Sequence, residues 1–128
     1  MPKVVVIGAG AAGTMAAIFA AESGADVTLV ERTRDGGRKI LISGGGRCNV
    51  LPMSVDESRF VTDSSPNALR KMLRAWPLRD QRGFFEHTLG IPLVDEPDDL
   101  KVFPASHKAR DVRDGLLAHV RLAIGRET

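Results

Sequence analysis

The sequence has no tyrosine, one tryptophan and five phenylalanines among its 128 residues. Proteins that grip single-stranded nucleic acid stack bases on aromatic platforms. So few rings argue against that class. The formal charge of +2 is too small to point to DNA or a membrane surface as partner. The arginines dense at 70–82 and 108–113 read as solvated helix faces. Cysteine is confined to Cys48, which excludes an internal disulfide and leaves no Cys/His spacing for zinc or another metal. A reducing, cytoplasmic setting fits. A long apolar run is also lacking. The small and apolar stretch from Val4 to Ala21 follows Lys3, but Gly8, Gly10 and Gly13 interrupt it, so it reads as neither a signal peptide nor a membrane anchor.

What remains is an ordinary globular composition, 43% hydrophobic and 27% charged, with enough chain for one modest core. Val4 to Ile7 is wholly apolar and β-branched, which suits a parallel strand buried on both faces. A glycine turn follows. Residues 12–23 then read as a small-residue helix stopped at Ser23-Gly24, and Asp26 to Val30 as a second strand ending at Glu31. This is a βαβ unit, and its crossover is expected to be right-handed.

Residues 34–49 read as a glycine-dense loop, and 50–64 as polar and irregular. Ser65-Pro66 opens a helix with Ala68, Leu69, Met72, Leu73 and Trp76 at helical spacing, ended by Pro77. Asp80 is expected to cap a short helix carrying Phe84, Phe85 and Leu89. Leu93-Val94 and Val102-Phe103 read as a short hairpin about Glu96 to Asp99. Ser106 is expected to cap a last helix with Ala109, Val112, Leu116, Val120 and Ala123 as its apolar stripe and Gly125 as its stop. The fold class is therefore α/β and Rossmann-like. Residues 1–50 form the βαβ unit and glycine loop, and 51–128 a helical extension with a hairpin. Two parallel strands make an incomplete doubly wound sheet, so a missing C-terminal segment or a second chain is expected to complete it.

Gly8-Ala9-Gly10-Ala11-Ala12-Gly13 matches the pattern G-x-G-x-x-G. Gly8 allows the turn out of the strand. Gly10 lets a pyrophosphate approach the backbone, and Gly13 lets the helix lie close to the strand. The helix N-terminus offers that pyrophosphate free N–H groups. Glu31, 18 residues after Gly13, stands where a carboxylate accepts hydrogen bonds from ribose hydroxyls and repels a 2′-phosphate. The ligand bound here is then FAD or NAD rather than NADP.

A plain NAD dehydrogenase has no need of a second glycine cluster. Here Gly36-Gly37-Arg38-Lys39 and Ser43-Gly44-Gly45-Gly46-Arg47-Cys48-Asn49 follow at once. Successive glycine N–H groups form anion-binding nests, and Arg38, Lys39 and Arg47 add cations. This suits a long flavin cofactor.

The stretch from Gly37 to Asn49 resembles the BaiN-like, aminoacetone-oxidase-like family of FAD-dependent oxidoreductases. Gly8 to Gly13, Glu31-Arg32, and Phe103-Pro104-Ala105-Ser106-His107-Lys108-Ala109 with Asp111-Val112 match it further. The resemblance covers essentially the whole chain. It implies a two-dinucleotide-binding flavoprotein fold with an inserted substrate domain and a discontinuous FAD domain, of which this chain is the N-terminal part. It also implies that Gly8, Gly10, Ala11, Ala12 and Gly13 sit at the pyrophosphate and Glu31-Arg32 at the ribose. Arg38, Lys39 and Ser43 to Asn49 would lie along the phosphates, ribityl chain and flavin edge. After Asn49 the sequence departs from the family, with Val50-Leu51-Pro52 where Thr-Asn is commoner.

A flavin carries the redox chemistry itself, so no catalytic side chain is assigned. Arg47 would lower the pKa of Cys48, yet a glycine loop favours packing. Of the histidines, His107 is the best candidate for an active-site role, and His87 and His119 read as structural. The function that follows is an oxidoreductase on a small organic substrate, exchanging electrons with NAD(P)H or oxygen. The chain alone is expected to turn over little. An NAD-dependent dehydrogenase fragment and a non-catalytic nucleotide-binding module completed by a partner chain stay open.

Overall fold

The computed structural model describes residues 1–125. The chain divides into two compact units, residues 1–48 with 106 onward, and residues 49–105.

In the first unit, β1 (Lys3–Ile7) and β2 (Asp26–Val30) pair in parallel, with Val4 opposite Val27 and Val6 opposite Leu29. They are linked by α1 (Ala11–Glu22). Eight of its twelve residues are Ala, Gly or Thr, so a neighbouring helix can come close, since interaxial distance follows the side chains at the contact. The neighbour is α5 (Ala109–Ile124). It presents Ala109, Val112, Leu116 and Val120, all buried, to a core shared with Ala17, Ile18 and Val27. His119 Nε2 on α5 lies 3.2 Å from Glu22 Oε1 at the end of α1, which gives that histidine a structural place.

The last helix thus belongs with the βαβ unit, not with the extension it follows in sequence. Its start also differs from the expectation. Lys108 holds the cap position and the helix begins at Ala109, while the Ser106 hydroxyl accepts a bond from Lys108 N at 3.2 Å. Gly125 ends it in the left-handed conformation, as expected.

β1 is not buried on both faces. Val5 and Ile7 are 65% and 85% exposed, whereas Val4 and Val6 are half-buried. Successive residues of a strand point to opposite faces, and within the described residues only one face of the two-stranded sheet is covered.

The glycine-dense stretch is more regular than its composition suggests. Arg38–Ile42 form a short helix, α2, and Ser43–Gly46 a tight turn. Both pack against α5.

The second unit holds an antiparallel sheet of β3 (Leu51–Pro52), β4 (Leu93–Glu96) and β5 (Lys101–Pro104), in the order β3-β5-β4. The two residues of β3 are a strand inside a stretch read as irregular. The pairing of β3 with β5 covers only Leu51 and Pro52, too few to show a periodicity.

Ser65 caps α3 (Pro66–Ala75) by accepting from Ala68 N at 3.2 Å. Met72, assigned to the apolar face of this helix, is 64% exposed. The next helix, α4 (Leu78–Gly83), is capped at Pro77, so Asp80 sits in its first turn and not at its cap. It runs into a π-helical turn at Phe84–Thr88. Trp76, Phe84 and Phe85 form an edge-to-face chain, with centroids 6.0 Å and 5.5 Å apart, as a core reading requires. Arg82 holds Glu86 and Asp95, both at 2.6 Å, which ties α4 to β4.

Candidate dinucleotide site

The candidate site lies within the first unit, where β1 gives way to α1. Gly8 N donates to Val30 O at 2.7 Å, which holds the turn against the end of β2. Gly13 is where the helix comes close. A Cβ added there would stand 1.7 Å from Gly8 O, far inside contact distance. At Gly10 the reverse holds. A Cβ would meet nothing within 4 Å, so the chain's own packing does not demand glycine there. Gly10 is the N-cap of α1 and supplies no side-chain cap. The first amides of a helix have no intrahelical acceptor, and here nothing of the cap residue shields them.

Glu31 is tied to this turn. Its Oε1 accepts from Ala9 N at 2.9 Å, and its Oε2 from Thr33 N at 2.7 Å. The Thr33 hydroxyl also donates to Oε2. These bonds lower the pKa of Glu31 from 4.5 to about 2, with the Thr33 hydroxyl the largest cause and the Ala9 and Thr33 amides next. Ala9 O in turn accepts from Gly37 N at 2.8 Å. The loop from 31 to 37 is thereby laced to the glycine turn through one buried alanine.

Because the folded pKa lies below the ordinary one, ionised Glu31 stabilises the fold above about pH 4.5. That contribution is lost as the pH falls towards 2. Glu31→Gln turns an acceptor into a group that also carries donors, facing amides that donate. It is expected to lower stability at pH 7, with the difference from the unsubstituted chain shrinking on acidification. Urea denaturation across pH 2.5 to 7 checks this.

Beside Glu31 opens a cleft of about 330 Å³, lined among others by Ala9, Leu29, Thr33, Gly36, Leu117 and Val120. Its walls are part polar loop and part apolar helix, as small-molecule sites are. Glu31 and the turn residue Ala9 therefore meet in one place. Arg32 is exposed beside them.

Arg38 and Lys39 are exposed on α2, and neither they nor Ser43 to Cys48 line that cleft. In the second glycine cluster, Gly44 and Gly45 adopt successive left-handed conformations, with φ of 57° and 66°, and Gly46 continues at 87°. The Ser43 hydroxyl donates to Ile40 O at 2.6 Å, and Arg47 Nε to Gly44 O at 3.4 Å. Asn49 falls in the second unit, where it lines a different cleft with Arg59 and Lys101.

Arg47 does not activate Cys48. The thiol is buried, and burial pushes its pKa up, with a hydrogen bond to Ser43 pulling weakly the other way. Thiolate is the reactive form. Alkylation of the native chain by iodoacetamide at pH 8 is expected to run at least about tenfold slower than that of the urea-unfolded chain. His107 is exposed, with a left-handed backbone at φ 56°.

Sequence reasoning missed Thr33. Its signal was a hydroxyl residue two positions after the acid, a spacing at which short polar side chains bond locally.

A parallel βαβ unit, a glycine turn that admits no Cβ at its third glycine, and a carboxylate tied to that turn define a Rossmann-type domain. The HI0933-like protein Rossmann domain matches residues 2–125, and the chain belongs to that family, the one the Arg-Lys to Cys-Asn stretch resembles. A 3-dehydro-bile acid delta(4,6)-reductase of Clostridium scindens is 32% identical over 123 residues, covering 94% of this chain and 29% of the relative. A ribosomal RNA dihydrouridine synthase of Escherichia coli is 40% identical over 60 residues, 47% of this chain and 15% of the relative. D-amino acid dehydrogenase 3 of Mesorhizobium japonicum is 49% identical over 47 residues, 37% of this chain and 11% of the relative. The chain thus spans less than a third of each of these relatives. No helix among the described residues is long and apolar enough to cross a membrane.

Proposed function

We propose that this chain is the FAD-binding portion of a flavin-dependent oxidoreductase, and that its first unit holds the adenosine diphosphate half of the cofactor. The observation that carries this reading is the pairing of an open Gly10 at an uncapped helix start with Glu31 fixed beside it. The residues fit the group. The space a side chain would take at Gly10 is free for a pyrophosphate, the α1 amides supply donors, and ionised Glu31 supplies an acceptor for ribose. Arg38, Lys39 and the left-handed turn at Gly44 to Gly46 are assigned to the remainder of the cofactor. Bound FAD supplies the redox chemistry, taking up and releasing an electron pair. The protein's part is to bind and orient it.

The substrate in this reading is a small organic molecule, with a nicotinamide cofactor or oxygen as the other redox partner. The bile-acid reductase, which matches 94% of the chain, supports it. A second reading takes a uracil ring in RNA as substrate, and the 40% identity to the dihydrouridine synthase over 60 residues favours it. Where the substrate is an unsaturated ring that is reduced, a reduced nicotinamide cofactor supplies the electron pair, and oxygen serves as partner only where the substrate is oxidised.

The test is the visible spectrum of the purified chain, taken after incubation with FAD and gel filtration. A flavin band that travels with the protein is expected. A folded chain that carries none at saturating FAD contradicts the reading.

A further inference from the structure

We propose that Thr33 is a positioning residue for the nucleotide: it holds the Glu31 carboxylate in one orientation and leaves it a single acceptor site for a ribose hydroxyl. The inference rests on the reading that Glu31 meets the ribose. An ionised carboxylate has about four acceptor sites. Ala9 N takes one on Oε1, and Thr33 takes two on Oε2 through its amide and its hydroxyl. One site on Oε1 remains.

The hydroxyl does not float. Gly36 N donates to Thr33 Oγ1 at 3.2 Å, so the loop that walls the cleft fixes the oxygen that fixes Glu31. The chain from Gly36 N through Thr33 to Glu31 sets the carboxylate before any ligand arrives. Preorganisation of this kind lowers the ordering cost of binding. The other charged groups at the site are Arg32 beside Glu31 in the chain, Arg34 and Asp35 on the same loop, and Arg121 from α5 across the cleft. Of these, only Arg32 adds a charge effect on Glu31, and it is smaller than those of the three hydrogen bonds.

The probes are Thr33→Val, which removes the hydroxyl at nearly constant shape, and Thr33→Ser, which keeps it. Two quantities are read on the full chain: the titration midpoint of Glu31 without ligand, by carboxyl carbon NMR, and the affinity for ADP at pH 7.5, by calorimetry. Thr33→Val is expected to raise the Glu31 midpoint and weaken ADP about tenfold, with Thr33→Ser close to the unsubstituted chain in both. If valine disturbs the loop, Thr33→Ala reads the same two quantities.

An unmoved midpoint overturns the hydrogen-bond clamp. A raised midpoint with unchanged ADP affinity overturns the positioning role. Tighter ADP binding also overturns it, because the hydroxyl would then be competing with the ribose for Oε2. Failure of the unsubstituted chain to bind ADP removes the nucleotide reading and the positioning role with it, and the midpoint still decides the clamp.

Discussion

Gly13→Ala is expected to abolish the native structure of the first unit. A methyl group at this position would stand 1.7 Å from Gly8 O and 2.9 Å from Gly8 C. Relief requires either the helix or the turn to move. The turn is pinned on both sides, through Gly8 N to Val30 O, Ala9 N to Glu31 and Gly37 N to Ala9 O. The helix is pinned by Ala17 and Ile18, both fully buried. Ordinary overpacking costs about 1–3 kcal/mol, and a backbone clash this deep exceeds that range. Small domains hold only about 5–15 kcal/mol in total. Circular dichroism and urea denaturation should show loss of the cooperative transition, or a midpoint too low to measure. A Gly13→Ala chain of near-normal stability would mean that α1 does not lie against the turn as described.

The second large effect falls three residues earlier and on a different property. Gly10→Val is expected to leave the fold intact and to abolish nucleotide binding. The backbone at Gly10, φ −84° and ψ −166°, is extended and open to any L residue, and no atom lies within 4 Å of the new Cβ. The valine methyls would occupy the approach to the first α1 amides. Losing two charge-assisted hydrogen bonds there removes about 1.5–3 kcal/mol each, so ADP affinity is expected to fall at least about 100-fold. Calorimetric titration, with a matching urea curve for each chain, checks both halves. Equal instability of the Gly10 and Gly13 variants would contradict the separation of roles, and so would unchanged ADP binding by Gly10→Val. Gly13 serves the chain's own packing, and in the proposed reading Gly10 serves the ligand.

The βαβ unit was legible in the sequence because a β-branched run, a small-residue helix and a second short strand obey simple periods. The hairpin and the apolar stripe of α5 were legible for the same reason. The errors fell where a local rule met a longer-range partner. Asp80 and Ser106 are good capping residues, yet Pro77 and Lys108 hold the cap positions, since backbone geometry and not side-chain type fixes where a helix begins. α2 was hidden because glycines on both sides of Arg38–Ile42 masked a helix only five residues long. The open face of β1 was hidden because an all-apolar strand has no alternation to reveal which side is covered.

At the candidate site, residue types and spacing located Gly8, Gly10, Gly13 and Glu31. They could not show that Glu31 is held by Ala9, because a contact across 22 residues leaves no trace in local pattern, whereas Thr33, two positions after the acid, did leave one. Nor did the cation beside Cys48 decide its thiol's state. Burial did, and burial is a property of the folded chain.

The central claim is that a nucleotide binds at the glycine turn with Glu31 beside it. It is tested most directly by adding ADP to the nitrogen-15-labelled chain and following amide resonances. The account predicts saturable shifts at Gly10 to Gly13 and at Thr33 to Gly36, with the β4–β5 hairpin unmoved. Shifts confined to residues outside the turn and the 31–36 loop, or none at millimolar ADP in a folded chain, would contradict it.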